Sequence, residues 1–130
     1  MISPEDRNAL IIYRIGQSYE CIETVKFLLL NEKLAIAVNR VYYGMYYALT
    51  ALALKYQFET SKHMQLIGWF NKEFVASGKV DPRFGRILRN GYNSRTKGDY
   101  DAFVVFSASE VEYMLKDMEI FVSEIERLIK

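Results

Sequence analysis

Leu34-Ala35-Ile36-Ala37-Val38-Asn39-Arg40-Val41-Tyr42-Tyr43-Gly44-Met45-Tyr46-Tyr47-Ala48 continues to about Tyr56 with scarcely a polar side. A helix that is apolar nearly all round belongs at the centre of a bundle, with neighbours on several sides. The rest of the chain reads as those neighbours.

Upstream, Ser3-Pro4-Glu5-Asp6 opens a first helix: Ser3 can cap it, Pro4 suits the first turn, and the acids favour the positive end of the dipole. Ile11, Ile15, Ser18, Ile22, Val25 and Leu29 then recur at steps of four and three, a single amphipathic stripe that ends at Asn31-Glu32-Lys33. Downstream, Thr60 or Ser61 is expected to cap a third helix whose inner face is Met64, Ile67, Phe70 and Phe74, with Gly78 as its left-handed stop. Asp81-Pro82 restarts the chain as a cap and a first-turn proline, giving a fourth helix to about Lys97, which Gly98 interrupts or bends. Phe103-Val104-Val105-Phe106 has no partner strand anywhere, so it reads as a packed connection or the approach to the last helix. Ser107 and Glu110 form a capping box, and Val111, Met114, Met118, Phe121, Ile125 and Leu128 follow in helical register. The expected fold is an all-α bundle over a single domain, residues 1–130.

Composition narrows the class. The chain is 51% hydrophobic and 25% charged, ordinary for a globular protein and unlike a disordered one. Its lone cysteine, Cys21, excludes an internal disulfide and falls within an apolar helical pattern, where a core thiol is expected rather than a nucleophile. The longest uncharged apolar run, Val41 to Leu54, spans 14 residues, short of the roughly 18 of a membrane span. No signal-like segment is evident at the N-terminus, so a cytoplasmic, reducing setting is expected. One histidine, one cysteine and no carboxylates at ligand spacing argue against a metal site, and no phosphate loop or other cofactor motif is present.

Net charge is only +1, yet Lys79 to Lys97 holds six bases against one acid, and Asp99 to Lys130 holds eight acids against three bases. Either two solvated faces attract each other, or the basic stretch is a phosphate-binding patch that the whole-chain balance conceals.

The candidate site follows from arginines on apolar stripes. Phe84, Leu88, Gly91 and Arg95 lie four, three and four residues apart, placing Arg95 on the core-directed face of the fourth helix. A guanidinium stays charged at neutral pH, so in apolar surroundings it needs a carboxylate, phosphate or carbonyl. Arg95 could pair with Asp99 one turn on, or serve as a phosphate clamp, since its fork suits two oxygens. Arg40, one and two turns before Tyr43 and Tyr47, poses the same question. The four neighbouring tyrosines suit the core, with hydroxyls reaching the rim, or base stacking. His63 is either a surface or capping residue, or a proton-transfer group.

These pieces in order resemble the stand-alone HEPN-domain family. Arg40-Val41-Tyr42-Tyr43-Gly44-Met45 resembles its Arg-x-Tyr-Tyr-Ala-Met segment, and Ser61-Lys62-His63 a Ser-Lys-x-His segment with one residue fewer. Phe70 to Gly78 resembles Phe-x-x-x-Phe-Val-x-x-Gly, Arg95 to Tyr100 is similar to Arg-x-x-x-Asp-Tyr, and Ser107 to Val111 matches the capped start of the last helix. The resemblance implies an antiparallel four- to five-helix bundle, commonly a homodimer, often paired with a minimal nucleotidyltransferase in toxin–antitoxin-like systems. Active members are metal-independent ribonucleases in which a histidine follows the arginine after four to six residues. Here Tyr100, Asp101 and Ala102 hold those positions, so Arg95 maps onto the family arginine and no general acid or base does.

The expectation is therefore an RNA- or nucleotide-associated partner module without nuclease activity or with little of it. Arg95, Asp99 and Arg40 are its phosphate- or nucleotide-binding residues. The rivals are an endoribonuclease using Arg95 with His63 or Tyr100, and a pure helical interaction protein. In related pairs the nucleotidyltransferase modifies a tyrosine near the arginine motif, which makes Tyr100 the modification candidate, unless its ring packs into the bundle.

Overall fold

A computed structural model describes residues 2–130. Five α-helices follow one another: α1 Pro4–Leu30, α2 Leu34–Lys55, α3 His63–Phe70, α4 Pro82–Tyr100 and α5 Ala108–Ile129, with a π-helical turn at Asn71–Val75 between α3 and α4. There is no strand among the described residues.

The helix ends follow the local chemistry. Ser3 accepts the Asp6 N–H at 3.0 Å with Pro4 in the first turn, and Asp81 accepts the Arg83 N–H at 2.9 Å with Pro82 behind it. The capping box at α5 is complete, Ser107 accepting from Glu110 N–H and Glu110 from Ser107 N–H. Such a cap contributes about 1 kcal/mol. Gly78 takes φ +82°, the left-handed turn that L side chains avoid.

α2 is central. Ala37, Val38, Val41, Tyr42, Met45, Ala48, Leu49 and Leu52 are buried on it, in one core with Val25 of α1, Leu88 of α4 and Met118, Phe121 and Ile125 of α5. Burying each large aliphatic or aromatic side chain contributes about 1.5–3 kcal/mol, so α2 accounts for much of the folding free energy. Ser18 of α1 is fully buried and donates to the Gly44 carbonyl of α2 at 2.7 Å, satisfying the polar group where those helices press together. α4 runs antiparallel to α2, because Asp99 meets Asn39 while Gly91 meets Met45. α1 runs antiparallel to α5, with Tyr19 bonded to Glu126 and Lys26 close to Glu119.

Three local expectations are corrected. Gly98 does not interrupt α4, which continues to Tyr100. An added Cβ there would meet the Phe106 ring at 3.3 Å, so the glycine serves close packing rather than a stop. Neither Thr60 nor Ser61 caps α3: Lys62 holds the cap position without a side-chain bond, and the Thr60 hydroxyl instead accepts Lys62 N–H. Met64 is exposed and stands at the rim with Tyr92 and Arg89, while Leu66, Ile67 and Phe70, with Phe74 beyond, make the inner face. Of the 103–106 segment only Phe106 is buried; Phe103 is 92% exposed.

Candidate functional site

The site is built where α4 ends beside the start of α2. Arg95 points inward from the stripe of Phe84, Leu88 and Gly91, and its side chain is 18% exposed. Its Nη2 donates to the Tyr43 hydroxyl at 2.9 Å, and its guanidinium lies 5.2 Å and 5.6 Å from the ring centres of Tyr43 and Tyr42. Nε is 3.0 Å from Asp99 Oδ2, an ion pair by distance. The Nε–H is not directed along that approach, so this buried N–H has no acceptor.

Arg40 reaches the same tyrosine from the other helix. Its guanidinium sits 4.9 Å from the Tyr43 ring centre, and its Nε and Nη2 donate to Asn39 Oδ1 at 3.1 Å and 2.9 Å. Asn39 Nδ2 in turn approaches both Asp99 oxygens at 3.4 and 3.5 Å. Arg40, Asn39, Asp99 and Arg95 therefore form a chain that closes around Tyr43. No carboxylate lies within 4 Å of Arg40 among the described residues.

His63, distant in sequence, joins this cluster. Its ring stacks on Tyr46 at 4.1 Å between centres with 11° between planes, and its Nδ1 lies 2.7 Å from the Tyr42 hydroxyl. It is neither a plain surface residue nor a cap. Burial, and secondarily the Arg95 charge, push the imidazole below its ordinary value, so it is neutral at pH 7. Tyr42 is fully buried and its hydroxyl is pushed far up, mainly by burial. Tyr43, Tyr46 and Tyr47 are only partly buried, so their rings are both core and rim.

Tyr100 stands apart from the bundle. It is 80% exposed, with no side-chain hydrogen bond among the described residues, so its ring does not pack inside. Cys21 is buried, and burial pushes its thiol up against the opposing charge of Arg40, which makes it a core thiol. Arg86, Arg89 and Lys97 are exposed on α4 with no carboxylate within 4 Å among the described residues. The acidic α5 does not neutralise them by contact among the described residues.

Arg14 of α1 was not singled out by sequence, although it sits three residues after Ile11 and four before Ser18, on the edge of the buried stripe. It lines a cleft with Tyr46 and Tyr47. No group of three or more potential metal ligands occurs among the described residues. No described helix is long and apolar enough to cross a membrane.

An antiparallel helical bundle with this arginine-and-tyrosine site defines the class. The HEPN domain model matches residues 13–128, and the chain belongs to that family. A UPF0332 protein of Thermotoga maritima is 36% identical over 125 residues, covering 96% of this chain and 95% of the relative. Two proteins of Methanocaldococcus jannaschii, "Putative toxin MJ0142" and "Putative toxin MJ0605", are 30% and 32% identical, over 88% and 85% of this chain and 78% and 82% of their own lengths.

Proposed function

We propose that residues 1–130 act as one HEPN domain that holds RNA or nucleotide phosphate between Arg95 and Arg40, as the toxin-like half of a two-component system. The observation that carries this reading is the closed chain around Tyr43. It fixes two guanidiniums beside one ring while leaving Arg40 without a carboxylate and Arg95 with a buried N–H that lacks an acceptor. An anion supplies the counter-charge that Arg40 lacks, next to an Arg95 already faced by Asp99. Asp99 orients Arg95, and the free cations of α4 extend the positive field. The toxin-named relatives support the two-component setting. The partner we propose is a minimal nucleotidyltransferase, and the working form is a cytoplasmic homodimer. The exposed Leu30, Ile36, Phe103 and Val105 offer apolar contact area at the same end as Tyr100.

In this reading the partner attaches a nucleotidyl group to Tyr100. The tyrosine oxygen attacks the α-phosphorus of a nucleoside triphosphate, pyrophosphate leaves, and the phenolic proton passes to solvent. The added charge then stands at the end of α4, one turn from Lys97, and repels phosphate approaching the site.

Cleavage of RNA is disfavoured by the state of His63. Its Nδ1 is engaged by Tyr42, and the carboxylate beside Arg95, Asp99, is held in an ion pair with that guanidinium. Metal-free cleavage needs a base for the 2′-hydroxyl and an acid for the leaving oxygen. The alternative, an endoribonuclease using Arg95 with His63, is favoured by one observation: both contact the Tyr42–Tyr43 pair. RNA incubated in chelator with wild type, Arg95→Ala and His63→Gln separates the two. Binding without cleavage supports the module; cleavage lost in both variants supports the enzyme.

A further inference from the structure

A concavity opens beside the tyrosine cluster, between α1 and α2. It holds about 310 Å³, and its walls include Arg14 from α1, Tyr46, Tyr47 and Thr50 from α2, and Glu59 and Thr60 from the connection to α3. That volume is at the small end of ligand sites, enough for one compact molecule.

Its chemistry is specific. The Arg14 guanidinium has one recorded hydrogen bond, to the neutral Gln17 Oε1 at 2.8 Å, and no carboxylate lies within 4 Å among the described residues. Burial pushes the Tyr46 hydroxyl up, and the Arg14 charge across the cleft acts in the opposite sense. The Thr50 hydroxyl donates to the Tyr47 carbonyl at 2.6 Å, which leaves its own oxygen free to accept. Glu59, exposed at the rim, is a second acceptor. Tyr46 lines this cleft and also stacks on His63, so the cleft joins the arginine site through one ring.

We propose that this cleft is a subsite for a single nucleotide unit. The base lies against Tyr46 and Tyr47, the phosphate is held by Arg14, and Glu59 accepts from an exocyclic amino group. Cytosine, adenine and guanine carry such a group, whereas uracil offers the carboxylate only its ring N3–H, so the subsite favours the amino-bearing bases over uridine. The inference rests on the reading that the neighbouring arginines hold RNA or nucleotide phosphate. The unit is either a free nucleotide or one residue of an RNA strand.

Cytidine monophosphate, uridine monophosphate, inorganic phosphate and a short oligocytidylate, each titrated by NMR and calorimetry into the full chain, test it. Cytidine monophosphate is expected to shift the resonances of Tyr46, Tyr47 and Thr50, and to bind about tenfold tighter than the uridine form. Arg14→Gln should weaken it about tenfold, and Thr50→Phe, which fills the cleft, should abolish it, with melting curves confirming that both variants fold. Arg95→Ala should weaken the oligocytidylate, while the shifts that cytidine monophosphate causes at Tyr46, Tyr47 and Thr50 persist. Cleft shifts with the oligocytidylate alone would support the subsite and assign its source to RNA. Binding that depends on Arg95 and never shifts the cleft would overturn the subsite and leave the arginine-pair reading standing. Inorganic phosphate binding as well as cytidine monophosphate, uridine binding equally, or a folded Thr50→Phe that still binds would each overturn it.

Discussion

The hydroxyl of Tyr42 lies 2.7 Å from Nδ1 of His63, and this contact sets the tautomer of the imidazole. Tyr42 is fully buried and its O–H has no other recorded acceptor, so satisfying it requires donation to Nδ1. The ring proton is thereby assigned to Nε2, which makes His63 a neutral donor toward an anion and not a base. That role suits a binding site better than a cleavage site.

His63 should make stability depend on pH in one direction. Its native value is lowered, so between that value and its unfolded value of about 6.5 the unfolded chain binds more protons. The stabilisation is present above about pH 6.5 and is lost as pH falls through the lowered native value. Melting temperatures of wild type and His63→Gln from neutral to mildly acidic pH should converge on acidification. Parallel curves would show that His63 does not carry the effect.

Gly98 should tolerate only a small side chain. A methyl group there meets the edge of Phe106 at 3.3 Å, while the helix gains propensity, so Gly98→Ala should be near neutral. Gly98→Leu should displace Phe106 from the core and cost about 1–3 kcal/mol in urea unfolding. A Leu variant as stable as wild type would contradict the packing role.

Where one helix carries the information, the sequence was legible. The apolar girth of α2, the capping box of α5 and the Arg95–Asp99 spacing all act within a few residues of chain, and each predicted what forms. Gly98 misled because a breaker acts locally, whereas Phe106 arrives from beyond the helix and secures it. The place of His63 is illegible for the same reason: its partners Tyr42 and Tyr46 lie on another helix, and no periodicity along α3 refers to them. Arg14 left only a faint mark, a charge in register with Ile11 and Ser18. The π-helical turn at Asn71–Val75 left none.

Asp99→Asn should bind anions more tightly than wild type. The carboxamide oxygen can still accept from Asn39 and face Arg95, while one negative charge leaves the site. Affinity for single-stranded RNA at low salt should rise several-fold, and the gain should fade as salt screens the site. Weaker binding would mean that the full charge of Asp99 is needed to hold Arg95 in place.

Tyr100 should be the acceptor in a nucleotidylation reaction, because its ring is exposed at the end of α4 and its hydroxyl is unengaged. Incubation with a cognate nucleotidyltransferase and ATP, followed by peptide mass spectrometry, should find the adduct on Tyr100, and Tyr100→Phe should abolish it. An equal adduct in the Phe variant would exclude Tyr100.

The shared clamp of Arg40 and Arg95 is tested most directly by the salt dependence of single-stranded RNA binding, read by fluorescence anisotropy for wild type, Arg40→Ala, Arg95→Ala and the double variant. Each arginine that neutralises a phosphate should remove about 0.7 from the slope of log affinity against log salt. Because both guanidiniums lean on Tyr43 and connect through Asp99, the double variant should lose less than the sum of the single losses. Four folded proteins with the same affinity and the same slope would contradict the account.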